Sequence, residues 1–352
     1  MKPISLPLKK LVLNQLPNLE HIWNLNPDEI LSLQDLLQVS ISNCQTLKSL
    51  FPISVANHLV KLHVRACATL VEIFAAADAA INGETKQFNF HCLTSLTLWE
   101  LPELKYLYPG KHTLEWPMLT HLDIYHCNQL KLFKIEHHSD EFADAENQLE
   151  EIPNIENLEV VCSSFTEIFC SQGPTTDCRK VLSKLKRLHL KNLPQLNAIR
   201  LEQSWVEPLL KTLETLEVFS CPTMKILVPS TLSFSNLTSL NVGECHGLLY
   251  LFTSSTAKRL GQLKHISIRD CQAIQEIVSK EEDHESEDED EDITFDQLSL
   301  LFLESLPNIV GIYSGTSKLK FPCLDQVTLK ECPQLKYSYV PDLHEFKPQE
   351  QT

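Results

Sequence analysis

Cysteine and histidine are the residues of this chain with the widest chemical capacity, and their spacing decides whether they could build a metal or catalytic site. The 352 residues include 12 Cys and 14 His. Neither a C-x-x-C pair nor an H-E-x-x-H motif occurs, although these spacings are typical of zinc sites. Cys162, Cys170 and Cys178 are eight residues apart, which fits no common zinc site, and His137-His138 lies in an acidic stretch. The sequence therefore predicts no metal site.

The motifs that hold phosphates or activate a nucleophile are also missing. The chain has no G-x-x-x-x-G-K-[ST] loop, no G-x-G-x-x-G turn and no G-x-S-x-G elbow, and it has no local Cys/His signature of a thiol enzyme. Residues 281–292 lack the glycine turn and the alternating ligands of an EF-hand calcium loop. We therefore expect neither an enzyme nor a bound cofactor.

Most of the cysteines mark one position of an internal repeat. Residues 59–73 read L-x-x-L-x-L-x-x-C-x-x-L-x-x-I, and the pattern occurs twelve times at intervals of 23 to 36 residues. The first positions are Leu8, Leu36, Leu59, Leu93, Leu119, Ile155, Leu185, Leu213, Leu237, Leu263, Leu298 and Leu324. The ninth position is usually Cys or the Leu of a Leu-Pro pair; in the sixth copy the turn is one residue short and Cys162 falls out of phase. This is a long, irregular leucine-rich repeat.

The repeat spacing predicts the fold. The apolar pair Leu62 and Val64 has a period of two, so both side chains fall on one face of a short strand. One such strand cannot bury its apolar side alone, but stacked coils bury it continuously. We predict an α/β fold, a leucine-rich-repeat solenoid (horseshoe or arc) with a parallel β-sheet on the concave face and loops and short helices on the convex side. Residues 54–58 and 255–260 are expected to be brief helical turns, each begun by a capping Ser.

The repeat and its insertions account for the length and the net charge of the chain. Length alone would suggest two or three domains, but stacked repeats grow in one dimension, so we predict one solenoid over residues 1–340 and a C-terminal tail, 341–352. Acidic insertions at 134–151 and 281–292 carry formal charges of −6 and −10, which together equal the net charge of −16. Each insertion is either a solvated loop or an electrostatic latch onto a basic surface elsewhere.

Seven cysteines at one repeat position favour a packing role over a disulfide framework, because a buried thiol acts as a small apolar group. We expect free thiols, a reducing compartment and a cytoplasmic location. No apolar run approaches the roughly 20 residues of a membrane span, and the first residues lack the apolar core of a secretory signal. The acidic balance argues against general nucleic-acid binding.

Solenoids of this kind bind partners on their concave face, where the residues that flank the L-x-L pair point outward. Arg65, Trp99 and Tyr125 fall in one column of adjacent coils, and their types are the most enriched at binding hot spots. A second, basic cluster in the seventh copy could receive an acidic partner or one of the chain's own acidic insertions. An unpartnered surface patch and solvated charge are the alternatives. The candidate protein-binding residues are Lys61, His63, Arg65, Trp99, Asp123, Tyr125, Arg187, His189, Lys191, Phe219 and Phe302.

Three longer phrases carry a family resemblance: residues 47–62 (LKSLFPISVANHLVKL), residues 248–263 (LLYLFTSSTAKRLGQL) and residues 271–278 (CQAIQEIV) before the acidic stretch. With the repeat itself, they resemble the leucine-rich-repeat region of plant intracellular coiled-coil-type nucleotide-binding disease-resistance proteins. The resemblance spans residues from about 6 to 340. It implies sensing of a pathogen effector or a guarded host protein, and autoinhibition of a nucleotide-binding module by intramolecular contact. No such module or phosphate loop is found in this sequence.

Two other classes of leucine-rich-repeat protein are alternatives to this resemblance. Cysteine-containing repeats also occur in substrate adapters of ubiquitin ligases, but those have a more uniform period and an F-box, for which no residues remain before Leu8. A plant extracellular receptor would carry a Gly-Ile-Pro signature, which this sequence lacks. The substrate adapter, or another protein-binding scaffold, is the alternative function.

Overall fold

The computed structural model describes residues 4–5, 7–22, 31–32, 35–52, 57–75, 86–107, 112–130, 150–151, 154–162, 184–196, 212–227, 234–280, 292–315 and 318–336. The chain divides into two compact units. Unit 1 comprises Met1–Phe165 and Phe169–Leu185, and unit 2 comprises Thr166–Ile168 and Lys186–Thr352. One continuous solenoid over residues 1–340 stays a prediction. The expected turn at Ser54, the tail 341–352, His137-His138, Cys170, Cys178 and nearly all of both acidic insertions lie outside the described residues.

Unit 1 contains six parallel five-residue strands, each hydrogen-bonded to the next with no slip in register. They are β1 Lys10–Asn14, β2 Gln38–Ser42, β3 Lys61–Arg65, β4 Ser95–Trp99, β5 His121–Tyr125 and β6 Asn157–Val161. The segments that lead from one five-residue strand to the next are called the return path. Shorter parallel strands lie on it: Ile4–Ser5 with Leu31–Ser32, Phe51–Pro52 with Phe74–Ala75, and Lys86–Asn89 with His112–Glu115, which also pairs with Glu150–Glu151.

Unit 2 repeats this arrangement with six further strands in parallel order. They are β7 Arg187–Lys191, β8 Thr215–Phe219, β9 Ser239–Gly243, β10 His265–Arg269, β11 Leu300–Glu304 and β12 Gln326–Lys330. The return path carries the pairs Phe252–Thr253 with Val278–Ser279 and Ile293–Thr294 with Leu319–Lys320. One strand for each of the twelve predicted copies confirms the leucine-rich-repeat solenoid fold.

The core is built from the repeat positions that the sequence singles out. In the third copy Leu59, Leu62, Val64, Cys67 and Leu70 are at most 1% exposed. The second and fourth residues of each strand point into this core, so the first, third and fifth point away from it. In the first and last strands the inward residues are only half-buried.

Aromatic residues such as Phe90 and Trp116 stand three positions before the first leucine of their repeat copies, and they were not part of the predicted repeat. Phe90 lies between Phe74 and Trp116, with ring centroids 5.0 Å and 4.3 Å away, and all three rings are at most 1% exposed. Phe295 and Phe321 stack in the same way in unit 2, at 5.5 Å. These rings fill the return side of the core, where a five-residue strand has no side chains to contribute.

Each of the twelve strands is followed by a residue other than glycine whose backbone is left-handed, with φ between 50° and 56°. The amide of Ala66 donates to Trp99 O at 2.8 Å, and that of Glu100 donates to Tyr125 O at 2.8 Å, so this turn extends the ladder by one hydrogen bond. Left-handed backbone costs an ordinary residue about 1 kcal/mol or more, which the extra bond helps to offset. Cys162 occupies this position, which confirms that it is out of phase.

The repeat cysteines close the same turn. Cys67 Sγ donates to Arg65 O at 3.4 Å, across the left-handed residue Ala66. Burial raises the pKa of Cys67 to about 11 and the pKa values of Cys127 and Cys271 to about 12, so these thiols stay protonated donors at neutral pH. The same bond is made by Cys44, Cys127, Cys221, Cys245, Cys271 and Cys332.

A helix on the return path corrects one prediction. The helix α1, Ser254–Ala257, lies in the segment expected to be a helical turn, but Ser255 does not cap it. The N-cap is Thr253, whose side chain makes no cap hydrogen bond and instead donates to Thr256 Oγ1 at 3.2 Å. The hydroxyls thus pair with one another because Thr253 and Thr256 are buried.

Candidate protein-recognition face

The candidate residues all lie on the side of the strands opposite the core, which is called the outward face below. None of them is buried: each is half-buried or exposed. They occupy the first strand position (Lys61 and Arg187), the third (His63, Asp123, His189 and Phe302) or the fifth (Arg65, Trp99, Tyr125, Lys191 and Phe219). The six candidates up to Tyr125 belong to unit 1, and the other five belong to unit 2.

In unit 1 the predicted column forms a continuous stack. Arg65, Trp99 and Tyr125 are direct register partners on β3, β4 and β5. The Trp99 and Tyr125 rings stack with centroids 4.6 Å apart and planes 19° apart, and Arg65 Cζ lies 4.7 Å from the Trp99 ring centroid. Such ring and cation contacts fix the orientation of half-exposed side chains, so this stack is a rigid surface feature.

Carboxylates hold both ends of the stack. Arg65 Nε lies 3.9 Å from Glu100 Oε2, a solvent-exposed pair that contributes little to stability. At the other end Tyr125 hydrogen-bonds to Glu159; burial, this bond and the Glu159 charge raise the pKa of Tyr125 well above its ordinary value. Glu159 was not among the candidates. Its signal was available, because it occupies the position of Asp123 in the next coil.

In unit 1 the residues at the third strand positions form a column of polar side chains beside the stack. Thr97 Oγ1 donates to Asp123 Oδ2 at 3.2 Å, and Glu159 is the register partner of Asp123. Burial raises the pKa of Asp123; the Thr97 hydrogen bond opposes this rise and the Glu159 charge adds to it. Burial, together with Arg65, lowers the pKa of His63. Lys61 is exposed and makes no ion pair with another described residue.

In unit 2 the basic cluster of Arg187, His189 and Lys191 is partly neutralised by a carboxylate on the outward face. His189 Nδ1 lies 3.8 Å from Glu217 Oε2, and Glu217 Oε1 accepts a hydrogen bond from Asn241 Nδ2 at 2.9 Å. The His189 ring also meets the Phe219 ring edge-on, with centroids 5.9 Å apart. The predicted trio therefore splits: His189 joins a network, whereas Arg187 and Lys191 pair with no carboxylate among the described residues.

Phe302 lies between two cations that the sequence analysis did not select. Arg269 Cζ is 4.5 Å from the Phe302 ring centroid and Lys330 Nζ is 5.8 Å from it. Lys330 also lies 3.8 Å from Glu304 Oε1. Arg269 could have been found, because it ends its strand at the position that Arg65 occupies in unit 1.

In the described part of the chain, no group of three or more His, Cys, Asp or Glu side chains could hold a metal ion. No helix there is long and apolar enough to cross a lipid bilayer.

Comparison with known proteins decides the family. Residues 1–63, 57–140 and 227–344 match the leucine-rich repeats described as "Plant disease resistance protein RPS2-like", which is more than half of the chain. The chain belongs to this family. The long phrases at residues 47–62 and 248–263, which carried the resemblance, both lie inside the matched segments.

Two relatives from Arabidopsis thaliana support the assignment to plant disease-resistance leucine-rich repeats. The chain is 36% identical over 109 residues to the probable disease resistance protein At1g61190, a match that covers 31% of this chain and 10% of the relative. It is 27% identical over 116 residues to the probable disease resistance protein At5g47260, covering 33% and 11%. The matched part thus spans about a tenth of the length of each relative.

Among solved structures, the chain in "Crystal structure of TLR13-ssRNA13 complex" aligns with 90% of this chain and 57% of its own length. The TM-score is 0.24 and the sequence identity is 12%. At this level of similarity no ligand or function carries over.

Proposed function

We propose that this chain is the protein-recognition region of a plant innate-immune receptor, which senses a pathogen effector or a guarded host protein. The observation that carries the proposal is the stack of Arg65, Trp99 and Tyr125 on the outward face of unit 1. Family membership supplies the context, since disease-resistance relatives share these repeats.

The stack suits a binding hot spot for physical reasons. Its three residue types are those most enriched in the energetic centres of protein interfaces. Neighbouring strands hold them at the fixed spacing of about 4.8 Å, so little side-chain entropy is lost on binding. The polar column of His63, Thr97 and Asp123 beside it can form the rim of such an interface.

Autoinhibition and location form the second part of the proposal. In the receptor, this region also contacts a nucleotide-binding module and holds it inactive. The location is cytoplasmic. Support comes from the seven repeat cysteines, which form no disulfide, as expected for a reducing compartment.

The test is a binding screen with matched variants. The chain is screened by yeast two-hybrid against plant proteins, pathogen-secreted proteins and the nucleotide-binding module of a family receptor, and hits are measured by calorimetry. We expect the double substitution Trp99→Ala with Tyr125→Ala to weaken binding by about tenfold or more with an unchanged Tm. Tyr106→Ala, which removes an exposed aromatic residue elsewhere, is the control. Full binding by the double variant would remove the stack from the proposal, and no partner for the wild type would overturn the function.

A further inference from the structure

The outward face of unit 2 carries a second group of cations and rings, which the proposed function does not use. The group consists of Lys191, Phe219, Arg269, Phe302 and Lys330, and is called the cationic–aromatic patch below. All five side chains stand at third or fifth strand positions and are half-buried or exposed. Phe219 is the register partner of Lys191 and of Gly243, and Gly243 is the partner of Arg269.

Charge is distributed unevenly on this face. At the outward positions of β7–β12 there are four bases and two acids, on a chain whose net charge is −16. Both acids are engaged inside the face: Glu217 contacts His189 and Asn241, and Glu304 contacts Lys330. Arg187, Lys191 and Arg269 form no ion pair with a described carboxylate, although Glu304 is the register partner of Arg269 on the next strand.

The rings orient these cations and add apolar surface. Phe302 holds the Arg269 guanidinium 4.5 Å from its centroid, and a guanidinium stacked on a ring keeps its N–H groups available for a carboxylate. The Phe219 ring closely approaches Gly243, where a Cβ would come within 2.6 Å of the ring. The face thus presents two ordered rings beside unpaired cations.

The geometry points to a second docking surface at the cationic–aromatic patch, for an acidic segment of a partner protein that alternates carboxylates with apolar side chains. Carboxylates pair with Arg269 and Lys191, and an apolar side chain rests on Phe219 or Phe302. Charge complementarity selects this partner. A nucleic acid fits less well, since two glutamates lie among the bases and the whole chain would repel a polyanion.

The probe is a fluorescein-labelled peptide of alternating Glu and Phe, measured by fluorescence anisotropy against the full chain. A peptide with Gln in place of Glu is the matched control. We expect the Glu peptide alone to bind, with affinity falling about tenfold as salt is raised from low to physiological strength and above. Arg269→Gln weakens binding about tenfold, since a charged hydrogen-bond donor is lost, and Arg269→Glu abolishes it. Phe302→Leu, which keeps the apolar volume, weakens it about threefold because the guanidinium is no longer held.

Arg259→Gln is the charge-matched control, because Arg259 is exposed on the return path. Equal binding of the Glu peptide by wild type and Arg269→Gln would overturn the proposal, as would stronger binding of single-stranded RNA than of the peptide. A variant with Gln at the acids of residues 281–291 identifies the occupant. If the peptide binds only to that variant, the chain's own segment fills the patch and the partner is ruled out. Trp99→Ala with Tyr125→Ala should bind the peptide normally, so failure here and failure of the proposed function are distinguishable.

Discussion

The ring of Phe219 rests on the backbone of Gly243, one strand away, where a side chain would otherwise stand. A Cβ built on Gly243 would lie 2.6 Å from Phe219 Cδ1, closer than any non-bonded carbon pair tolerates. The two residues are register partners on β8 and β9. Glycine normally weakens a strand, so its presence here is explained by the close approach of the ring.

This contact predicts a coupled pair of substitutions. Gly243→Ala should push the Phe219 ring outward and lower the free energy of unfolding by about 1 kcal/mol, as measured by urea denaturation. Combined with Phe219→Ala, the same change should become neutral or stabilising, because the clash is gone and alanine suits a strand better than glycine. Additive effects in this double-mutant cycle would show that the ring does not occupy the space above Gly243.

The left-handed residues after the strands predict a stabilising substitution. Ala66 has φ of 50°, a backbone that glycine adopts without steric cost. Ala66→Gly should therefore raise the free energy of unfolding by about 0.5 kcal/mol, after the greater flexibility of glycine in the unfolded chain is allowed for. Ala68→Gly, two residues on and without a positive φ, should lower it. Thermal unfolding of both variants measures the difference, and equal effects would contradict the explanation.

Cysteine reactivity should follow burial. Cys92 and Cys323 are exposed, whereas Cys67, Cys127 and Cys271 are buried with pKa values raised to about 11 or 12. Because the thiolate is the reactive form, iodoacetamide at pH 8 should alkylate the first two and spare the other three until the chain unfolds. Peptide mass spectrometry before and after addition of urea reads this out. Rapid labelling of Cys127 in the native chain would contradict the structure.

Asp123 predicts a pH-dependent stability change. Its folded-state pKa is raised above the ordinary value, mainly by burial. The folded state therefore binds more protons than the unfolded state in this range, and stability falls as pH rises from about 4 through the folded pKa. Asp123→Asn keeps the hydrogen-bond acceptor for Thr97 and removes the charge. It should raise Tm at pH 7 and leave Tm nearly unchanged at pH 3; Glu159→Gln, beside it, provides a comparison.

The strands and the core were predictable because they depend on one periodic signal. Twelve apolar pairs such as Leu62 and Val64 gave both the number and the position of the strands. The return side was less predictable: the rings of Phe90 and Trp116 pack across coils whose spacing varies. The capping role of Ser255 was wrong because tertiary burial brought Thr253 and Thr256 together.

The candidate site was likewise predictable only in part. The shared column of Arg65, Trp99 and Tyr125 followed from register alone, and the structure confirms that they are register partners. The stacking of their side chains was not predicted, and their role in binding stays a prediction. Arg269 and Glu159 were missed because their strand positions, which match those of Arg65 and Asp123, do not by themselves show which side chains they contact. Their importance comes from Phe302 and Tyr125 in neighbouring coils, which are separated from them by long stretches of chain.

The constant register of the strands has a consequence for protein engineering. Intervals between copies vary from 23 to 36 residues, yet within each unit every strand meets its neighbour residue for residue. Length differences are thus absorbed entirely on the return path. A foreign epitope or a fluorescent reporter could be inserted there without changing the residues of the outward face. Tagging the molecule and substituting its outward residues are therefore independent operations.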